Sequence, residues 1–405
     1  MSQTVVRRFD LHVDEVNRLD GVRDWLLELV KKAPDEMRQP QVKPIPRLSL
    51  LEVRLEGSPA AISGVMAQVA DRFGVRIRHD RVSVAEEATP PKFGVPLGLG
   101  PRDLEYPDPQ ALLRIGVEPR PLTILKGEAP SAPVTVAVVD SGIMVDHPAL
   151  KSHLWAGTVA GQPAHGARCI GGTRSGDVTD QDGHGTRLAG TILSVAQGAP
   201  GIRLMAVKFF DADALPGPAN GADAIDFAVE QKADIINLSW DLGIGSVAVE
   251  QAIQNACDAG ALVVIAAGNS GSDNDLFPTI PACYRKERPE RIITVMATDR
   301  YDEKASFSNY GVRTVDLAAP GVGCVTTRAA LATTSGVAGK KFRAYNGTSP
   351  ATALVAGAAA LLKSRNPNLT ADELKTRLLL SVDPVQGLKC RTGGRLNLGK
   401  ALANL

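Results

Sequence analysis

Between residues 134 and 295 the chain repeats one pattern: a short run of apolar, often β-branched residues, then a stretch at helical spacing. The runs are Val134–Val139, Ile202–Val207, Asp234–Leu238, Leu262–Ala266 and Ile292–Val295. A strand apolar on both faces is buried on both faces, the condition of a parallel sheet covered by helices. The intervening Gly185–Ala196, Asn220–Gln231 and Val247–Ala259 supply those helices. The pattern predicts an α/β fold with a doubly wound, mostly parallel sheet.

The first 85 residues have a different texture. Val5–Val13 reads as a strand, Asp14–Ala33 as a helix, and a short edge strand is expected near Val42. Leu48–Leu55 is a further strand. Ser58 before Pro59 reads as a helix start, Gly74 as its stop, and Val75–Val84 as the last strand. The order β-α-β-(β)-α-β predicts a small α+β, ferredoxin-like domain over 1–85. Prolines and glycines crowd the next stretch, so 86–107 is expected to be a Pro-rich linker, followed by the main domain at 108–405.

Composition closes off several classes. Of the 405 residues, 44% are hydrophobic and 22% charged, which excludes a disordered or collagen-like chain. The net charge of +1 offers no basic excess toward nucleic acid or an anionic membrane. No apolar stretch is long enough for a membrane helix. Charged residues from Arg7 to His12 interrupt any secretory leader. Five cysteines, none in a Cys-x-x-Cys pair, disfavour zinc ribbons and a disulfide-built scaffold. The expectation is a cytoplasmic protein.

Three segments carry chemistry. Asp140 ends the first buried run, at the edge where open α/β sheets place ligands. Alone it reads equally as a turn or cap residue. His184 lies between Gly183 and Gly185, which lets another group approach its ring. Asn346-Gly-Thr-Ser349-Pro350 precedes a helix of almost only Ala, Leu and Val. Pro350 is expected at the first helical position, with Ser349 as its cap. A helix N-terminus favours developing negative charge at Ser349.

The order Asp, His, Ser is that of subtilisin. Asp140-Ser-Gly, His184-Gly-Thr and Gly347-Thr-Ser349 resemble the signature segments of subtilisin-like serine peptidases, the subtilases. The likeness runs from about Asp108 to Leu402. It implies that Ser349 attacks a peptide carbonyl, His184 moves the proton and Asp140 orients the imidazole. Val263-Val-Ile-Ala-Ala-Gly-Asn269 is similar to the segment bearing the family's oxyanion Asn. It also implies that substrate lies as an added strand against Ser239, Trp240 and Asp241 on one side and Ala267 and Gly268 on the other.

This chain departs from the family's wording at several points. Trp240 and Asp241 stand where small residues are usual, narrowing or acidifying a subsite. Arg187 replaces a second His, Pro350 a Met, and Leu354 a Pro. No cofactor is required. Structural calcium is common in the family, and Asp177, Asp180 and Asp182 are its candidates here, without a complete ligand set. The resemblance makes 1–85 a propeptide-like domain, removed by self-cleavage or kept to bind a regulatory protein. Peptide-binding without hydrolysis, or transpeptidation on the same scaffold, are the other outcomes.

Overall fold

The computed structural model describes residues 5–12, 24, 38–45, 50–57, 76–78, 109–117, 133–196, 199–211, 217–242, 246–284, 289–327 and 342–403. Met1–Val82 with Leu242–Gly245 forms one compact unit, and Ser83–Asp241 with Ser246–Leu405 forms the other.

The first unit contains β1 (Val5–His12), β2 (Arg38–Ile45), β3 (Leu50–Gly57) and β4 (Arg76–Arg78). Their order is β2-β3-β1-β4, and every neighbouring pair is antiparallel. β3 therefore separates β1 from β2, which run parallel, as in a split βαββαβ unit. Pro40 and Pro44 fall in β2, an edge strand, where a missing N–H is tolerated. The register shifts between Arg38 and Gln41, on either side of Pro40. The helices expected at 14–33 and 59–73, and the linker expected at 86–107, lie outside the described residues.

In the second unit α1 (Pro109–Arg114) precedes β5 (Val134–Asp140). The short strands β6 (Gly157–Val159), β7 (Gln162–Ala164), β8 (Gly166–Ile170) and β9 (Thr173–Ser175) follow, then α2 (His184–Val195) and β10 (Ile202–Lys208). Next come α3 (Pro218–Glu230), β11 (Ile235–Leu238), α4 (Val247–Asp258), β12 (Leu262–Ala266) and β13 (Ile292–Thr298). The chain closes with β14 (Leu317–Pro320), β15 (Cys324–Thr327), β16 (Phe342–Tyr345), α5 (Thr348–Arg365), α6 (Ala371–Leu380), β17 (Asp383–Pro384), β18 (Gly394–Arg395) and α7 (Leu398–Leu402).

Ten of these strands form one sheet, ordered β17-β18-β14-β13-β12-β11-β5-β10-β8-β9. The run from β18 to β8 is parallel throughout. Only the edge strands β9 and β17 pair antiparallel. All five apolar runs are strands of this sheet. Their burial on both faces explains why they lack the alternation of a half-exposed strand.

The strand order sets the position of the site. β10 and β11 follow one another in sequence yet flank β5 on opposite sides. That reversal opens a crevice at the carboxyl ends of the strands around β5. Asp140 is the last residue of β5, Ser239 follows β11, and Asn269 lies just beyond β12.

Behind the sheet, α5 is buried at every residue from Thr348 to Leu362. Its small side chains permit close packing against α2. A Cβ on Gly357 would lie 2.6 Å from the Ile192 carbonyl oxygen and 2.8 Å from Val195 Cβ. Gly357 is thus a condition of the approach between the helix that starts with His184 and the helix that carries Ser349.

Candidate active site

Asp140 and His184 meet through a close approach of backbone. A Cβ on Gly185 would lie 2.1 Å from the Gly142 carbonyl oxygen, so the second residue of α2 must be glycine. With the chains this close, His184 Nδ1 stands 2.8 Å from Asp140 Oδ1, which also accepts from the Ser141 N–H at 2.8 Å. Asp140 is fully buried and His184 is 4% exposed. A buried carboxylate holds Nδ1 as the donor, which leaves Nε2 as the basic nitrogen of the neutral ring. Asp140 Oδ2 is buried and without a hydrogen-bond partner among the described residues.

Asp180 holds both segments. Its Oδ1 accepts from Ser141 Oγ at 2.9 Å, from the Asp182 N–H at 3.1 Å and from the Gly183 N–H at 2.7 Å. Its Oδ2 accepts from the Thr186 N–H at 2.9 Å and from Thr186 Oγ1. Ser141 Oγ accepts in turn from the Gly185 N–H at 2.9 Å. One carboxylate therefore ties the residue after Asp140 to the first turn of α2. Asp182 Oδ1 accepts from the His184 N–H at 3.0 Å. Burial pushes the Asp182 carboxyl above its ordinary range, and Asp140 and Asp180 add to the rise, against the pull of His184 and Arg187.

Ser349 lies two positions further into its helix than expected. Gly347 is the cap, with φ of 150°, so Thr348, Ser349 and Pro350 are the first three helical residues. None of them needs an intrahelical acceptor, so the proline is tolerated there. The Ser349 N–H is among the unpaired amides that open the helix. Its hydroxyl donates to the Ser239 carbonyl at 3.2 Å, and Ser239 Oγ donates to the Ser349 carbonyl at 3.3 Å. Asn237 Nδ2 donates to Ser239 Oγ at 2.9 Å. Among the described residues Ser349 Oγ thus makes no hydrogen bond to His184. Such contacts commonly tighten only with ligand bound.

Asn269 is oriented by the same helix start. Its Oδ1 accepts from the Thr348 N–H at 2.8 Å and from Thr348 Oγ1 at 3.0 Å. With the oxygen held, Nδ2 is the face of the amide left to donate. The amide is thereby fixed to the residue that precedes Ser349.

The expected peptide-binding residues divide. Ser239 sits against Ser349, as described. The Trp240 side chain is 2% exposed, its indole N–H donates to the Val139 carbonyl at 2.9 Å, and its ring packs on Phe209 at 4.9 Å. The indole is part of the core wall and does not line an open subsite. The Ala267 N–H donates to the Val295 carbonyl, and its own carbonyl accepts from Asn274 Nδ2. Asp241 is half-buried, with Oδ2 3.4 Å from where a Cβ on Gly268 would stand. Gly268 has φ of 104°, and its carbonyl accepts from the Asn309 N–H.

Among the calcium candidates, Asp180 is turned inward to its five donors. Asp177 accepts from the Thr179 N–H at 3.1 Å. Among the described residues no cluster of His, Cys, Asp and Glu fits a metal ion. Arg187 lies over the Tyr345 ring at 5.6 Å and 4.0 Å from Asp182, so the departure at this position replaces a ring with a stacked cation.

The chain matches the family model described as the subtilase family over residues 131–394. It is 35% identical to alkaline elastase YaB of Bacillus sp. (strain YaB) over 251 residues, 60% of this chain and 58% of that protein. To subtilisin BL of Lederbergia lenta it is 35% identical over 251 residues, 60% of this chain and 81% of that one. The crystal structure of a cold adapted subtilisin-like serine proteinase is similar at a TM-score of 0.53 and 27% identity, covering 66% of this chain and 89% of that chain. The chain spans 58% of the elastase and 60% of a thermostable alkaline protease of Halalkalibacterium halodurans. The family match covers well over half of the chain and takes in every residue of the site, and the chain belongs to the subtilase family.

Proposed function

We propose that the chain is a serine endopeptidase that hydrolyses peptide bonds of protein substrates through an acyl-enzyme on Ser349. The observation that carries this reading is the buried Asp140–His184 pair at the same sheet edge as Ser349 and the oriented Asn269 amide. Ser349 Oγ attacks the scissile carbonyl carbon, and its proton passes to His184 Nε2. Asp140 holds the imidazole and stabilises its charged form. The oxyanion accepts from the Ser349 N–H and Asn269 Nδ2. The carbon–nitrogen bond then breaks, the leaving amine takes the proton from His184, and water repeats the sequence on the acyl-enzyme. Side chains suffice, and no cofactor is required.

The test is labelling with a fluorophosphonate together with hydrolysis of a peptide library. Wild type should label and cleave. Ser349→Ala and His184→Ala should do neither. Labelling that persists in His184→Ala, or a wild type that binds peptide without cutting it, refutes the reading.

The N-terminal unit is proposed to restrain this activity, as a zymogen segment or as the docking place of a regulatory protein. Its four-stranded sheet supports the reading by matching the family's propeptide topology. Intact mass should show wild type shortened near residues 86–107 and Ser349→Ala whole. A cytoplasmic setting is proposed from the odd number of cysteines, five, with no Cys-x-x-Cys pair. Among the described residues no helix is long and apolar enough to cross a membrane.

A further inference from the structure

We propose that Asn309 is a positioning residue for the oxyanion donor Asn269, a role that rests on the peptidase reading above. Asn309 is fully buried and Asn274 is 1% exposed. Two neutral amides this deep must find partners for every donor and acceptor. They find them on the loop that carries Asn269. Asn309 Oδ1 accepts from the Ser270 N–H at 2.9 Å and from the Ser272 N–H at 3.0 Å. The Asn309 backbone N–H donates to the Gly268 carbonyl at 2.9 Å. Asn309 Nδ2 donates to Asn274 Oδ1 at 3.1 Å, and Asn274 Nδ2 donates to the Ala267 carbonyl at 2.8 Å.

The clamp grips the residue on each side of Asn269: Gly268 through its carbonyl and Ser270 through its N–H. Gly268 shows how tightly the loop is built around it. A Cβ there would lie 2.5 Å from Asn309 Nδ2. Asn269 is therefore held twice. Its backbone is fixed by Asn309, and its side-chain oxygen is fixed by Thr348 at the start of the helix bearing Ser349. Both holds are needed to aim Nδ2. A donor set before the reaction stabilises developing charge without reorganisation at the moment of reaction. Asn309 touches neither substrate nor Ser349 and acts only through this loop.

A double-mutant cycle with Asn269→Ala tests the role. In a subtilisin, a member of this same family, losing the oxyanion donor costs about 10²–10³ in kcat. A misaimed donor should cost less, so Asn309→Ala is expected to lower kcat about tenfold, with KM changed less than about twofold. In the Asn269→Ala background the same substitution should change kcat less than about twofold, because the donor it aims is gone. Asn309→Asp keeps an acceptor for Ser270 and Ser272 and should retain more kcat than Asn309→Ala. If Asn309→Ala does not fold, Asn274→Ala releases the clamp from its other end and enters the same cycle. Losses that multiply in the double variant, or a loss confined to KM, overturn the positioning role while leaving the peptidase reading intact. An inactive wild type overturns both.

Discussion

Asp180 is the residue whose replacement should most directly separate fold from chemistry in this site. Five donors converge on its carboxylate, which is 6% exposed. In Asp180→Asn one oxygen becomes an NH2. The better orientation keeps the carbonyl where Ser141 Oγ and the Asp182 and Gly183 N–H groups meet. The NH2 then faces the Thr186 N–H, in a residue that is fully buried. That amide loses its acceptor, at a cost of about 1–3 kcal/mol. The three remaining bonds lose their charge assistance, roughly half their strength. Removing a buried charge returns part of its desolvation cost. The net expected loss is about 2–4 kcal/mol, a large share of a stability of about 5–15 kcal/mol. Guanidinium unfolding should be measured in the Ser349→Ala background, where no self-digestion occurs. In the active chain kcat should fall with stability, because Ser141 and the first turn of α2 lose their common anchor. A variant that unfolds within about 0.5 kcal/mol of its parent refutes the assignment of Asp180 as the anchor.

Three other perturbations have definite signs. Asn269→Ala should lower kcat by about 10²–10³ with little change in KM, read by steady-state kinetics; a loss in KM alone would place the residue in ground-state binding. Gly357→Ala gains about 1 kcal/mol of helix propensity but drives a methyl into the Ile192 carbonyl and Val195, so the net should be a loss of about 1–2 kcal/mol in thermal or denaturant unfolding, and a stabilised variant would contradict the packing of α5 on α2. Asp182 is raised by burial, so folding favours its protonated form: that contribution is present below the ordinary carboxylate pKa and lost as pH rises through the raised value. Asp182→Asn keeps an acceptor for the His184 N–H and should gain stability relative to wild type as pH rises above the ordinary carboxylate pKa; an unchanged difference across that rise counts against the burial effect.

The parts legible in sequence were those set by local pattern. Leu262–Ala266 is a strand with the bounds its apolar run predicted, because a strand buried on both faces is apolar at most of its positions. Asp140, His184 and Ser349 stood out because each sits where a strand ends or a helix begins, with small neighbours. What escaped depends on direction after an element ends. Trp240 follows β11 by two residues, and only the packing against Phe209 turns its ring inward. The helix cap moved from Ser349 to Gly347 because the glycine adopts the turn that Ser349 was expected to make. Asp180 looked like a surface ligand, since nothing in its neighbours announces the donors brought by Ser141 and Thr186. Asn274, between Asp273 and Asp275, and Asn309, after Ser308, carry no signal of burial in their neighbours; their pairing spans 35 positions and is a property of the fold.

The site joins residues from four separate segments, and its alignment depends on contacts that are themselves core packing. His184 begins α2 and Ser349 begins α5, so the seam between these helices sets the relation of base to nucleophile. That seam is closed at Gly357. It is also tied across β15, where Thr326 Oγ1 donates to the Arg187 carbonyl at 2.7 Å and Thr327 Oγ1 to the Thr186 carbonyl at 2.6 Å. Well-packed interiors transmit a volume change rather than absorb it. A methyl added at the seam therefore displaces both catalytic ends together, while one added at an outer face, such as that of α6, has no path to them. Stability and turnover should rise and fall together along α2 and α5 and separate elsewhere, because here the rigid element and the reactive element are the same.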